Sequence, residues 1–222
     1  MLTCVYFLFL YLGIGFIFNA VCKFLEKKHY LNKIHPTSVN KDKLRFELYQ
    51  SLKSILIFGF SGMIMLFFFK KGIIHLLPTT VFNIIIGLLI LVLWNEIHFY
   101  FFHRLLHLPY FYRKIHKIHH QSKIPSVFSV YSFHWIEAFV LSSVPLFITP
   151  FIDFSLFAIL LFPLVSILFN FAGHCNYRFG NGTGNSLGLF GTKHSLHHYK
   201  NKGNFGFITD FLDRIFQKKK IL

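Results

Sequence analysis

Eight histidines fall in three tight clusters: His103 and His107 in HRLLH, His116, His119 and His120 in HKIHH, and His194, His197 and His198 in HSLHH. Residues three or four apart share a helix face, so each cluster aims its imidazoles at one point. Neutral imidazole is a ligand for iron, zinc, copper and nickel. A structural zinc site closes at four ligands, so eight imidazoles predict two metal ions side by side. One HxxxH alone is usually a surface or core pair. Two HxxHH clusters together with an HxxxH make metal binding the expectation.

The elements that must carry these clusters are apolar helices. Of 222 residues 54% are hydrophobic and 32 are Phe, with a mean hydropathy of +0.53, more apolar than soluble domains. Val5 to Cys22 is uncharged and near the ~20 residues that span a bilayer. It lacks a basic start and a cleavage pattern, and reads as a retained helix rather than a signal peptide. Residues 23–53 are polar and Lys-rich and predict a surface helix or loop. Ile55 to Phe69 is a second apolar run, ended by Lys70, Lys71 and Gly72, with Pro78 a further break. Val81 to Trp94 is the third, and its helical pattern continues into the first histidine cluster. Ala138 to Ile152 and Phe154 to Phe171 are each short for an upright span. Split by Pro150 and Asp153, they predict a hairpin that partly penetrates the membrane. Residues 172–222 are polar, Gly-rich near 180–191 and basic at the end. The expected fold is all-α: a multi-span membrane protein of four to five apolar helices with a cytoplasmic His-rich helical cap. The expected regions are an N-terminal transmembrane part, 1–94, a catalytic part, 95–216, that includes the hairpin at 138–171, and a basic tail, 217–222.

The formal charge of +15 lies between apolar runs rather than on one basic face, which argues against nucleic acid. With residues 23–53, 101–137 and 172–222 on one side, that side holds 21 of the 23 Lys and Arg, and only Lys70 and Lys71 lie opposite. The positive-inside rule makes the rich side cytoplasmic. All three histidine clusters fall there, just past helix ends, where they can meet. Cys4, Cys22 and Cys175 form no disulfide framework, which fits a reducing or membrane setting.

Several motifs together carry a family resemblance: HRLLH, YFYRKIHKIHH, HWIE, GHCNY, TKHSLHH, NFG and FLDRIF. In order and spacing they resemble the fatty acid hydroxylase/sterol desaturase superfamily over residues 95–216. That family's members are membrane-embedded di-metal enzymes, usually di-iron, that use oxygen to hydroxylate, desaturate or oxidise lipids. The resemblance implies that the eight cluster histidines are metal ligands. It matches His134 and Glu137 to the family's histidine and acid of the HWIE motif, and His174 to a further histidine after the last span, so that His134 and His174 are expected as metal ligands too. There are departures. Trp135 stands where the family commonly has Pro, Ser195 where it has Asp, and Phe205 where it has Tyr. Phe216, Gln217 and Lys218 replace a closing Phe-Gly-Thr. These leave the substrate open.

Two carboxylates are the catalytic candidates. Glu96 lies seven residues, about two turns, before His103, and Glu137 three after His134. Each is read as an acceptor that fixes a ligand imidazole. His98 falls on another face and is expected to be a hydrogen-bonded interface residue. His29, His35 and His75 stand alone and are expected at the surface. Asn170 shares a face with His174 as a hydrogen-bonding neighbour, and Asp213 is expected to cap a helix or pair with Arg214.

The resulting expectation is a membrane-bound lipid monooxygenase or desaturase with two metal ions, iron by resemblance and zinc possible in isolated protein, and O2 as co-substrate. The chain has no haem, flavin or iron–sulfur motif, so electrons must come from an external donor, a b-type cytochrome or a ferredoxin with its reductase. The alternative is a non-redox membrane zinc protein, a hydrolase or metal transporter. No HExxH helix supports the hydrolase, and spans nearly free of ionisable residues argue against the transporter. The terminal KKKIL places Lys219 and Lys220 in a dilysine position, an endoplasmic reticulum retrieval address in a eukaryote and membrane-edge charge in a bacterial inner membrane.

Overall fold

The computed structural model describes residues 2–36, 40–179 and 190–216. The Lys219 and Lys220 signal and most of the Gly-rich 180–191 stretch lie outside the described residues. The protein is mostly helical. In chain order its helices are α1 (Leu2–Lys27), with a π turn at Phe9–Ile14, α2 (Lys41–Lys70) and α3 (Val81–Leu106). A composite element, α4, follows as the consecutive turns Pro109–Phe111, Tyr112–His116 and Lys117–His120. Then come α5 (Trp135–Ser142), α6 (Val144–Ile148), α7 (Leu156–His174), α8 (Phe190–Lys200) and α9 (Phe211–Phe216). Four of them, α1, α2, α3 and α7, are long and apolar enough to cross a membrane.

The helix starts follow from side chains that satisfy free N–H groups. Asn40 accepts from Lys43 N at 2.8 Å, Thr80 from Asn83 N at 3.1 Å, and Ser155 from Ala158 N at 3.2 Å. The Asn40 cap overturns part of the reading of residues 23–53: residues 41–53 are the first turns of α2, continuous with the apolar run. Glu47, Ser51 and Ser54 repeat at helical spacing and are buried, while Tyr49, Leu52 and Leu56 face out. Farther along α2, Phe60, Met63 and Leu66 also point outward. Polar residues inside and apolar ones outside is the arrangement that lipid favours, because backbone and polar groups must find partners within the protein.

Two small strand pairs fix the direction of the chain. At one end β1 (Asn32–Lys33) pairs antiparallel with β4 (Tyr177–Arg178), and at the other β2 (Leu76–Leu77) pairs in parallel with β3 (Phe154–Ser155). The ends of α1, α3 and α7 and the start of α2 therefore gather at one end of the bundle. The segment 138–171 does descend and return, but it goes deeper than a partial hairpin, reaching the level of the α2–α3 turn at β3. Its descending limb breaks at Ser143, and Trp94 Nε1, midway along α3, donates to Val144 O at 2.9 Å. Its returning limb, α7, lies so close to α3 that a Cβ on Gly87 would sit 2.8 Å from that of Ala158.

The core has two parts. Leu10, Tyr11, Ile55, Phe58 and Phe171 pack around the 127–133 loop. Leu91, Val144, Phe154, Ala158 and Phe162 fill the space between α3, α6 and α7.

Candidate metal centre

The three clusters come from three elements that end at the same level. His103 lies in the last turn of α3 and His107 is its C-cap. His116, His119 and His120 lie on α4, where the π turn Tyr112–His116 shifts the helical register. His194, His197 and His198 lie on α8. That helix is pressed against α7, for a Cβ on Gly191 would fall 2.4 Å from Ala172 O.

Together with His174 at the end of α7 these form two groups. His103, His107, His116, His120 and His197 make one, and His119, His174, His194 and His198 the other, with the ligand atoms of each group within 4.8 Å of one another. The groups adjoin: the His119 and His198 rings are 4.5 Å apart and those of His120 and His198 4.7 Å. All the eight cluster histidines and His174 are buried except His107, which is half-buried.

Hydrogen bonds at the outer nitrogens set the tautomers. Each of four Nδ1 atoms faces a group that only accepts: His103 to Phe205 O at 3.0 Å, His116 to Glu137 Oε1 at 2.7 Å, His174 to Asn170 O at 2.9 Å and His197 to Gly203 O at 2.5 Å. The proton therefore sits on Nδ1, and Nε2 presents a lone pair inward. Yet the Nε2 atoms face each other, His107 and His197 at 3.1 Å, His116 and His120 at 3.1 Å, His174 and His194 at 3.3 Å. An outer bond fixes the tautomer of only one ring in each pair, His197, His116 or His174, and a cation between the rings would let the other turn its lone pair inward as well. Burial, reinforced by neighbouring imidazoles, also pushes the His116, His120, His194 and His198 pKa values far below the usual histidine range. His107 falls to about 3 and His197 to about 4, burial being the larger cause in each. These rings are neutral at neutral pH, the form that binds metal. The donor set thus fits two cations, held entirely by nitrogen.

Several predicted roles change. His134 joins neither group. It is the N-cap of α5, its Nδ1 accepting from Ile136 N at 3.3 Å, and its ring lies against Trp135. Cap geometry, which needs an acceptor beside the first free N–H groups, claims the nitrogen. Glu96 does not touch an imidazole. It accepts from Ile208 N at 2.7 Å and from Thr209 N and Oγ1 at 3.2 and 3.1 Å. Its two-turn spacing from His103 places it under the returning chain instead. Asp213 accepts from Phe205 N and Gly206 N at 3.1 and 3.0 Å, and it is Asp210 that pairs with Arg214. Glu96 and Asp213 therefore grip the 205–209 segment from two sides, and its Phe205 carbonyl orients His103. Glu137, read from its spacing as a partner of His134, instead lies 2.7 Å from His116 Nδ1.

His98 is buried among Trp94, Phe102 and Phe147, with neither ring nitrogen hydrogen-bonded among the described residues; a bonded interface role was expected. His29 and His75 are exposed, whereas His35 is half-buried against Tyr199.

Sequence reasoning missed Glu47. Fully buried, it accepts from Ser122 Oγ at 2.6 Å and from Ser126 Oγ, while Lys43 Nζ bonds Ile124 O. This ties α2 to the loop that follows His119 and His120. Tyr11 and Ser51 hold the same loop through Phe128 O. A glutamate at helical spacing with two inward serines was the available signal.

A family model described as fatty acid hydroxylase matches residues 88–218. The chain belongs to the fatty acid hydroxylase family. Among curated relatives, fatty acid hydroxylase domain-containing protein 2 of Homo sapiens is 38% identical over 95 residues, covering 42% of this chain and 28% of that protein. Lathosterol oxidase of Homo sapiens is 36% identical over 75 residues, 34% of this chain and 25% of that protein. A probable Delta(7)-sterol 5(6)-desaturase of Neurospora crassa is 30% identical over 131 residues, 56% of this chain and 35% of that protein. The matched stretch thus spans about a third or less of each relative's length. No solved structure matches the chain.

Proposed function

We propose that this protein is a membrane-bound di-iron, oxygen-dependent oxidoreductase that hydroxylates or desaturates a lipid, with O2 as co-substrate. One observation carries the reading: nine imidazoles in two adjoining groups at the end of an apolar helical bundle, four of them held by outer hydrogen bonds with Nε2 turned inward. His103, His107, His116, His120 and His197 would hold one ion, and His119, His174, His194 and His198 the other. When bound, two irons supply oxygen activation, the hard chemistry that side chains lack. The chain's own part is to orient the ligands through Phe205 O, Glu137, Asn170 O and Gly203 O, and to exclude water by burial.

The sterol-oxidising relatives support a lipid substrate. Lysines and arginines concentrated at the histidine end support a cytoplasmic site, in the endoplasmic reticulum or a bacterial inner membrane. Electrons would come from an external b-type cytochrome or a ferredoxin with its reductase, and the basic surface suits an acidic partner.

The test is reconstitution of purified protein in lipid, with metal analysis, an external donor and mass spectrometry of the lipids. The expected result is about two irons per chain and donor-dependent addition of oxygen or loss of hydrogen. One zinc with no iron uptake under reducing conditions, or sustained turnover without any donor, would overturn the reading.

A further inference from the structure

Beneath the metal groups, on the membrane side, lies a cavity of about 100 Å³. It abuts both groups. Phe99 in its wall has its ring 4.8 Å from His103, Phe133 has its ring 4.8 Å from His119, and Asn170 holds His174 through its carbonyl. Pro145, in the first turn of α6, and Pro163, within α7, also line it. It is smaller than the ~300–1,000 Å³ pockets that enclose whole small molecules. It is therefore sized for the segment of a lipid nearest the metals, the remainder lying in the apolar phase.

Half of the lining residues are aromatic, but Asn95, Ser142, Ser166 and Asn170 also line it, and of these Ser142 is already bonded to Ser61. Asn95 is only 6% exposed, and its amide has no hydrogen-bond partner among the described residues. An unpaired amide at membrane depth is costly. Helix glue does not account for it, because no neighbouring helix receives the bond. Asn95 precedes His103 by eight residues on α3, and Ser166 precedes His174 by eight on α7. Both helices end at the metal level, so amide and hydroxyl stand at one height, about 12 Å of helix rise below those ligands. Asn170 lies one turn nearer.

We infer that Asn95, with Ser166 beside it, is a specificity-determining residue that receives a hydroxyl group of the substrate within the slot. The substrate class is then a lipid that already carries a hydroxyl on its apolar body, held so that a carbon nearer the metals is presented for oxidation. An amide offers both a donor and an acceptor, which matches a hydroxyl that is both. A hydrocarbon without oxygen would leave the amide unpaired and bind worse for that reason. The inference rests on the reading of the metal centre as a lipid oxidant.

The test compares matched pairs of lipids, hydroxyl against hydrogen at one carbon, on sterol, long-chain alkyl and glycerol-ether skeletons. Binding is measured on iron-loaded, anaerobic protein in phosphatidylcholine nanodiscs, for the wild type, Asn95→Leu and Ser166→Ala. The preference within a pair is compared between variants, so partitioning into the lipid cancels. The expected result is that the wild type favours the hydroxyl member about tenfold over its Asn95→Leu preference. Ser166→Ala should give a smaller change, and metal content should stay at two irons. Equal preference in wild type and Asn95→Leu, no binding of any pair by metal-loaded wild type, or loss of metals or folding in Asn95→Leu would each overturn the inference. If an oxygen-free chain were oxidised equally by all variants, the proposed function would stand and this inference would fall. If hydroxyl preference depended on Asn95 but no lipid were oxidised, the inference on binding would stand and the function would fall.

Discussion

At the scale of the residue, the inner shell separates from the outer one by what each imidazole faces. His119 and His197 belong to different groups and are nearly or wholly buried. His119→Ala and His197→Ala should each lower metal content and abolish turnover while the protein still enters the membrane, since neither lies in an apolar run. His134→Ala should keep both metals, because its ring caps α5 instead; it should cost about 1 kcal/mol of stability as a lost cap. Metal analysis and thermal unfolding of the three variants check this, and loss of metal only in His134→Ala would invert the assignment. Glu137→Ala removes the acceptor at 2.7 Å from His116 Nδ1. The ring then loses its preferred tautomer, and metal affinity or activity should fall ~10–100-fold, less than for a ligand change. Titration with Fe(II) under anaerobic conditions reads it directly.

At the scale of the element, the segment 205–209 acts as a strap. Glu96 holds Ile208 and Thr209, Asp213 holds Phe205 and Gly206, and the carbonyl presented between them aligns His103. A Cβ at Gly206 would fall 1.9 Å from Thr209 O, too close for any side chain. Gly206→Ala should therefore displace the strap, costing a few kcal/mol locally and weakening the first metal group more than the second. A spectroscopic count of bound iron that drops from about two toward one is the expected result. Unchanged iron content and turnover would show that the strap does not position His103. The strap shows why Glu96 was misread: its helical spacing from His103 is right, but the partner comes from residues more than a hundred positions later.

At the scale of the whole molecule, the strand pairs β1–β4 and β2–β3 put the histidines and residues 71–80 at opposite ends. The chain passes between the ends five times, four of them as long helices and once as the broken limb α5–α6. A cysteine placed at Lys71 and one placed at Lys123 should therefore react with a membrane-impermeant maleimide from opposite faces of sealed vesicles. Labelling of both from the same face would rule out this path. The distribution of Lys and Arg supports the proposal that the Lys123 face is the cytoplasmic one.

The three histidine clusters, the apolar runs and the family were legible in the sequence, because helical periodicity is local and the motifs keep their spacing whatever surrounds them. His174 was also legible, as a histidine one turn beyond Asn170 at the end of an apolar run. Other features depended on which distant segments meet. Whether a carboxylate meets an imidazole or a backbone turn is decided by chain that returns from elsewhere, as for Glu96, Asp213 and Glu47. The N-cap use of His134 depends on where α5 starts. The slot beside Asn95 exists only because α3 and α7 converge on the histidine groups with their polar residues at one height. Short-range spacing supplied the candidate ligands; long-range packing sorted them into two groups of five and four, because imidazoles from separate helices converge only after those helices have been brought to one level.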